Sequence, residues 1–322
     1  MTTMNNTTPY RAPAWLPGGN LQTLYPALVA RRADVSYLRE RWNTPDGDFI
    51  DLDWTAAAGT GSAPLLVLFH GLEGSSKSQY ARGLMHHAMQ RGWRGVVVHF
   101  RGCSGEINRL PRAYHSGDST EIDWILRRLH AQHGGALFAA GVSLGGNALL
   151  KWLGEQGQAA QDVVQRAAAV SAPVDLHAAG RALEQGFNMV YTNNFLATMK
   201  RKSFAKLEKH PGLFDPAKLR TTRTLREFDD LVTAPLHGYA GVDDYYTRAS
   251  SKPLLMCVAV PTLLLNARND PFLPGKALPE QQQLSAAITA AFTDEGGHVG
   301  FPDSNGSIQW LPRTVLEFLV AP

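Results

Sequence analysis

The chain has 322 residues, 44% of them hydrophobic, enough for one large core, so one domain carrying an insertion is expected. A formal charge of +3 with 18% charged residues is close to balanced, which argues against a nucleic-acid partner or an anionic membrane surface and for a small neutral substrate. The two cysteines, Cys103 and Cys257, fit no metal-ligand spacing and do not indicate a disulfide framework.

The first thirty residues contain Pro9, Pro13, Pro17, Gly18 and Gly19 and no basic start followed by an apolar stretch, so no signal peptide is expected. No apolar run approaches the roughly 18 residues that suggest a membrane span, and the expected compartment is the cytoplasm. In residues 35–56, Phe49, Ile50, Leu52 and Trp54 predict two strands of a half-buried hairpin. Short apolar runs follow at 64–69, 95–100, 136–142, 167–172, 261–267 and 288–293, without the alternation of a one-sided strand, and these predict buried parallel strands. Between them, residues 78–91 put Tyr80, Leu84, Met85, Ala88 and Met89 on one helical face. Residues 118–130 do the same with Ile122, Ile125, Leu126 and Leu129, behind a capping box of Asp118 and Glu121. Strand and helix alternate, which predicts an α/β fold with a mostly parallel central sheet flanked by helices.

The alternation fails over residues 174–253, where a helical cap over the sheet's carboxyl edge is expected. Phe187, Met189, Phe195 and Met199 in this insertion are candidates for lining a substrate pocket, with helix packing as the competing role. The insertion also holds Lys200, Arg201, Lys202, Lys206 and Lys209, continuing to Lys218, Arg220, Arg223 and Arg226. The expectation for this stretch is a solvated helix face, with a docking surface for an anionic partner as the alternative.

Gly141-Val142-Ser143-Leu144-Gly145 fits G-x-S-x-G, with Gly146 after it. The motif alone is weak, but an apolar strand runs into it and Ala148, Leu149, Leu150, Trp152 and Leu153 continue as a helix. That strand–turn–helix setting is what a nucleophile elbow requires, so Ser143 is the candidate nucleophile. A serine hydroxyl needs a base, and His298 in Glu295-Gly296-Gly297-His298 follows the last predicted strand with glycines that give an imidazole room. His70, His86, His87, His99 and His130 fit less well, because they fall within or at the end of predicted elements. Asp270, at the carboxyl end of the 261–267 strand, is the candidate acid that would fix the histidine tautomer, ahead of Asp175, Asp243, Asp244 and Asp294. The order Ser143, Asp270, His298 is the one this fold uses. His70-Gly71-Leu72-Glu73-Gly74 follows the 64–69 strand, so the N–H groups of Leu72 and Leu144 are the candidate oxyanion donors.

Taken together, His70-Gly71-Leu72-Glu73-Gly74, Phe100-Arg101-Gly102-Cys103-Ser104-Gly105 with Asn108, Tyr114-His115-Ser116-Gly117-Asp118, the Gly141–Asn147 segment and Gly297-His298-Val299-Gly300-Phe301 resemble the YheT-type branch of the α/β-hydrolases. That branch holds bacterial esterase-like proteins, eukaryotic abhydrolase-domain lipases and fungal medium-chain ethyl ester synthases. The resemblance begins near Trp15, includes Gly19-Asn20-Leu21-Gln22-Thr23-Leu24, runs to the carboxyl end and weakens across the insertion. It implies hydrolysis of short- to medium-chain carboxylic esters, with Ser143, Asp270 and His298 as the triad. It also implies a small-molecule ester as partner and no metal or organic cofactor. Eukaryotic members often bear an amino-terminal membrane anchor; none is read here, which favours a soluble esterase. Arg101 and Cys103 match family positions, and a structural ion pair and packing near the pocket are expected of them. An alcohol acyltransferase using the same triad and a non-catalytic interaction module of the same fold are the alternatives, and oligomeric state is not legible.

Overall fold

The computed structural model describes residues 10–56 and 62–321, so the first nine residues of the stretch searched for a leader lie outside the described residues. Among the described residues eight strands form one sheet, ordered β1-β2-β4-β3-β5-β6-β7-β8. They are β1 (Tyr37–Asn43), β2 (Phe49–Thr55), β3 (Leu65–Phe69), β4 (Arg94–His99), β5 (Leu137–Val142), β6 (Arg166–Val170), β7 (Thr262–Ala267) and β8 (Ile288–Thr293). The β1–β2 hairpin is antiparallel and β2 runs antiparallel to β4, whereas every pairing from β4 to β8 is parallel. Strands β3, β5 and β7 are buried along their whole length, because helices cover both faces.

Alternate residues of β3 feed opposite cores. Leu65, Val67 and Phe69 pack with helices α3 (Ser119–His133) and α4 (Leu144–Gln156). Leu66 and Leu68 pack with α2 (Gln79–Gln90) and α11 (Trp310–Val320). The predicted capping box of α3 does not form. Asp118 makes no cap bond and lies 2.5 Å from Arg112 Nη2, while Glu121 accepts from Arg101 Nε at 3.0 Å, so both carboxylates are already held by guanidinium groups.

Helix α1 (Gly18–Leu28) precedes the sheet. Between β6 and β7 the chain is helical: α5 (Leu176–Leu183), α6 (Met189–Lys209), α7 (Pro216–Thr221), α8 (Leu225–Phe228), α9 (Ala234–Leu236) and α10 (Val242–Ala249), with a π turn at Asp229–Thr233. These helices share a core of Leu183, Tyr191, Leu196, Phe214, Leu219 and Phe228, which Phe272 joins from the segment after β7. The cationic stretch divides in two. Arg201, Lys209, Lys218, Arg220 and Arg223 are exposed, but Lys206 is buried and donates to Asn108 Oδ1 at 2.7 Å, Arg112 O at 2.9 Å and Leu110 O. Lys202 donates to Glu73 Oε1 at 2.8 Å. These two side chains therefore depart from the solvated-face expectation, because acceptors on facing loops satisfy their amines. Among the described residues no helix is long and apolar enough to cross a membrane.

Candidate active site

Strand β5 delivers Gly141 and Val142 to Ser143, which adopts φ 53° and ψ −121° and caps α4. A positive φ at a residue with a Cβ carries strain, held here by the sheet bond from Ser143 N–H to Val170 O at 2.8 Å. The flanking glycines follow from sterics. A Cβ on Gly141 would lie 2.4 Å from Gly145 O, and one on Gly145 would lie 2.4 Å from Phe69 O.

The structure brings Ser143, His298 and Asp270 together. His298 Nε2 lies 2.9 Å from Ser143 Oγ, and its Nδ1 lies 2.9 Å and 3.1 Å from the two Asp270 oxygens. With Nδ1–H donating to the carboxylate, Nε2 presents its lone pair to the serine O–H. The Asp270 side chain has no exposed surface and also accepts the Phe272 N–H at 2.7 Å. The Phe272 ring stacks on the imidazole, centroids 4.0 Å apart at 22°, and limits how far it can swing.

Two of the other histidines, His70 and His99, are engaged elsewhere. His70 Nδ1–H donates to Gly71 O at 2.7 Å while Nε2 accepts the Phe100 N–H at 3.1 Å, and burial pushes its imidazole down to about 3, which keeps it neutral. It thus shapes the loop after β3. His99 pairs with Asp53 at 2.8 Å.

In that loop Gly71 N–H donates to Tyr80 Oη at 2.9 Å, Glu73 N–H to Tyr114 Oη at 2.8 Å and Gly74 N–H to Gly71 O at 2.9 Å. Among the described residues no acceptor meets the Leu72 N–H. A Cβ on Gly71 would lie 3.1 Å from Ser143 Cβ, so the loop passes directly beside the hydroxyl. Leu144 opens α4, where a helix N–H lacks an intrahelical acceptor.

Leu72, Ser143, Leu144 and His298 line one cavity of about 160 Å³, together with Phe195, Met199, Phe228 and Asp229. Phe195 and Met199 stand one turn apart on the inward face of α6. The expectation fails for Phe187 and Met189, which are not among the cavity-lining residues. Phe187 sits before α6 begins, half-exposed at 51% with its ring edge-on to Tyr191. Met189 precedes Phe195 by six residues and so belongs to another face of the helix.

Arg101 is buried and bonded to Asp46 at 2.8 Å, Asp48 at 3.1 Å and Glu121. Cys103 packs against the core with its thiol pushed up to about 11 by burial. Sequence reasoning gave no role to Gln22, Thr23 and Asn269, which contact the loops carrying His298 and Asp270. The signal available was the Gly19–Leu24 motif, noted only as a likeness. Among the described residues no group of three or more His, Cys, Asp or Glu is placed to hold a metal ion.

A mostly parallel eight-stranded sheet, a serine on a strained strand-to-helix turn and a histidine after the last strand together define the α/β-hydrolase fold. A family model described as alpha/beta hydrolase fold matches residues 64–304. The chain is 44% identical over 308 residues, 93% of its length and 89% of the relative's, to "Putative esterase YheT" of Escherichia coli (strain K12). It is 33% identical over 326 residues, 97% of its length and 78% of the relative's, to "Phospholipase ABHD3" of Homo sapiens. The chain belongs to the YheT-type branch of the α/β-hydrolase family. Solved structures show likeness of fold at lower identity. Est1E from Butyrivibrio proteoclasticus with ferulic acid bound gives a TM-score of 0.56 at 14% identity, covering 87% of this chain and 98% of that one. The esterase EaEST from Exiguobacterium antarcticum gives 0.55 at 16%, covering 87% and 99%.

Proposed function

We propose that the protein is a serine carboxylesterase that hydrolyses short- to medium-chain carboxylic esters through an acyl-enzyme on Ser143. The observation that carries this reading is the pair of 2.9 Å contacts placing the His298 ring between Ser143 Oγ and Asp270. In this reading the chain is one α/β-hydrolase domain whose residues 174–253 form a cap walling the acyl cavity. The relatives named esterase and phospholipase, and a Saccharomyces cerevisiae relative named "Monoacylglycerol lipase", support acyl-ester chemistry.

Ser143 Oγ attacks the ester carbonyl while His298 Nε2 takes its proton, and Asp270 stabilises the resulting imidazolium. The tetrahedral oxyanion accepts hydrogen bonds from the Leu72 and Leu144 N–H groups, a role supported by both residues bordering the cavity beside Ser143. Collapse breaks the carbonyl carbon–alkoxy bond, and His298 returns the proton to the departing alcohol. A water then attacks the acyl-enzyme with His298 as base, releasing the carboxylic acid and restoring Ser143.

A series of p-nitrophenyl esters tests the substrate class. Each methylene buried in the cavity is worth about 0.8 kcal/mol, so kcat/KM is expected to climb about fourfold per carbon and then break near about eight carbons. Ser143→Ala is expected to lower kcat by roughly 10⁴-fold or more. Turnover that survives this substitution overturns the assignment, and added ethanol that captures most acyl groups at low concentration reassigns the protein to ester synthesis.

A further inference from the structure

Helix α1 lies more than 240 residues before the loops that carry Asp270 and His298, yet its side chains bond to both. Gln22 has 0% exposure. Its Oε1 accepts the Gly296 N–H at 2.9 Å and Asn269 Nδ2 at 2.9 Å. Its Nε2 donates to Leu16 O at 2.9 Å and Glu295 Oε1 at 3.3 Å. Both donors and both acceptor sites of the amide are therefore used, and both acceptor contacts go to the two site loops. Asn269, the neighbour of Asp270, closes the circuit by accepting the Gly297 N–H at 3.0 Å. Thr23 Oγ1 donates to Gly19 O at 2.7 Å and accepts the N–H of His298 itself at 2.8 Å.

The contact leaves no slack. A Cβ on Gly19 would lie 1.9 Å from Asn269 O, and one on Gly300 would lie 2.0 Å from Gln22 O. We infer that Gln22 and Thr23 form a positioning clamp that fixes the His298 ring against the Asp270 carboxylate, an inference resting on the assignment of those residues as base and acid. The clamp touches no substrate and acts through the two loops. Its chemical consequence follows from the narrow tolerance of the pair: a displacement of about 1 Å in a reacting constellation can cost roughly 100-fold in rate.

The test compares Gln22→Met, which keeps length without hydrogen bonding, with Gln22→Glu, whose oxygens still accept from Gly296 and Asn269 and whose protonated form donates once. Hydrolysis of p-nitrophenyl butyrate is followed across pH beside Ser143→Ala. Gln22→Met is expected to lower kcat about 10- to 100-fold with KM within about threefold of the parent. The acid limb of its profile is expected to move to lower pH, because an imidazolium that loses its carboxylate partner gives up its proton more readily. Gln22→Glu is expected to recover most of the loss. Thr23→Val, isosteric but without an acceptor for His298, supplies the same readout if Gln22→Met does not fold. Folded clamp variants with the parental kcat and acid limb, beside an inactive Ser143→Ala, overturn the clamp alone. A loss that leaves the acid limb in place and is not recovered in Gln22→Glu marks a merely structural role and also overturns it. Parental turnover in Ser143→Ala removes the acid–base assignment and the clamp with it.

Discussion

Asp229 puts a carboxyl group in the cavity wall that the proposed acyl exchange does not use. It opens the π turn, where the Thr233 hydroxyl donates to Oδ1 at 2.6 Å and the Tyr246 hydroxyl donates to Oδ2 at 2.9 Å. Desolvation outweighs these two neutral donors and pushes the carboxyl up to about 6, against an ordinary value of 3.8. The folded chain therefore holds this proton more tightly than the unfolded chain does. The contribution to stability is complete below the unfolded value and is lost as pH rises through about 6. Asp229→Asn removes the ionisation at nearly constant shape, and each hydroxyl can rotate to meet the amide. The variant is expected to melt above the parent at about pH 8 and close to it at about pH 4. Scanning calorimetry at both pH values checks this, and a difference of the same size at both would show that ionisation is not the cause.

Along α6 the positions Phe195, Met199, Lys202 and Lys206 repeat at intervals of four, three and four, which draws one stripe down the helix. The stripe begins as apolar cavity wall and ends in two amines whose acceptors lie on the loops at Glu73 and residues 108–112. A periodicity argument assigns lysine to the solvent side, so it broke this stripe in half. The aliphatic stems nevertheless pack like core residues while the charged ends find partners. Burial pulls the Lys206 amine down to about 8, which the nearby Asp48 carboxylate offsets only in part. Lys206→Met keeps the stem and removes the three hydrogen bonds. Asn108 Nδ2 still donates to Leu110 O and Arg112 O, so those carbonyls are not orphaned. The expected cost is about 1.5–3 kcal/mol, the range for hydrogen bonds made by a charged group. Urea denaturation measures it as a lower midpoint at unchanged slope, and an unmoved midpoint would mean that the Lys206 bonds add nothing to the hold on α6.

At the scale of the molecule, what the sequence made legible is what local pattern encodes. Unbroken apolar runs marked the parallel strands β3 to β7 because both sheet faces are covered, whereas β8, expected to be buried too, is the edge strand and is fully buried only at Ile288; G-x-S-x-G between strand and helix marked the elbow because no Cβ fits at Gly141 or Gly145. The placement of α1 was not legible, since Gln22 meets Asn269 and Gly296 across separations of 247 and 274 residues that no local pattern encodes. Nor did composition separate Phe195 and Met199, which line the cavity, from Phe187 and Met189, which do not, because all four look alike without the phase of the helix. That phase carries a prediction about acyl length. Phe272 stacks on His298 and Phe195 packs edge-on to Phe272 with centroids 6.0 Å apart, so Phe195 is the second ring out from the imidazole. Its removal enlarges the cavity beyond the Phe272 ring while the His298–Phe272 stack stays in place. If an acyl chain runs along this wall, Phe195→Ala admits roughly two to four more methylenes at about 0.8 kcal/mol each. The ratio of kcat/KM for a decanoyl over a butyryl ester is then expected to rise by about tenfold or more, through KM, with kcat for the butyryl ester little changed. A folded Phe195→Ala variant that keeps the parental ratio would show that the acyl chain takes another path through the cap.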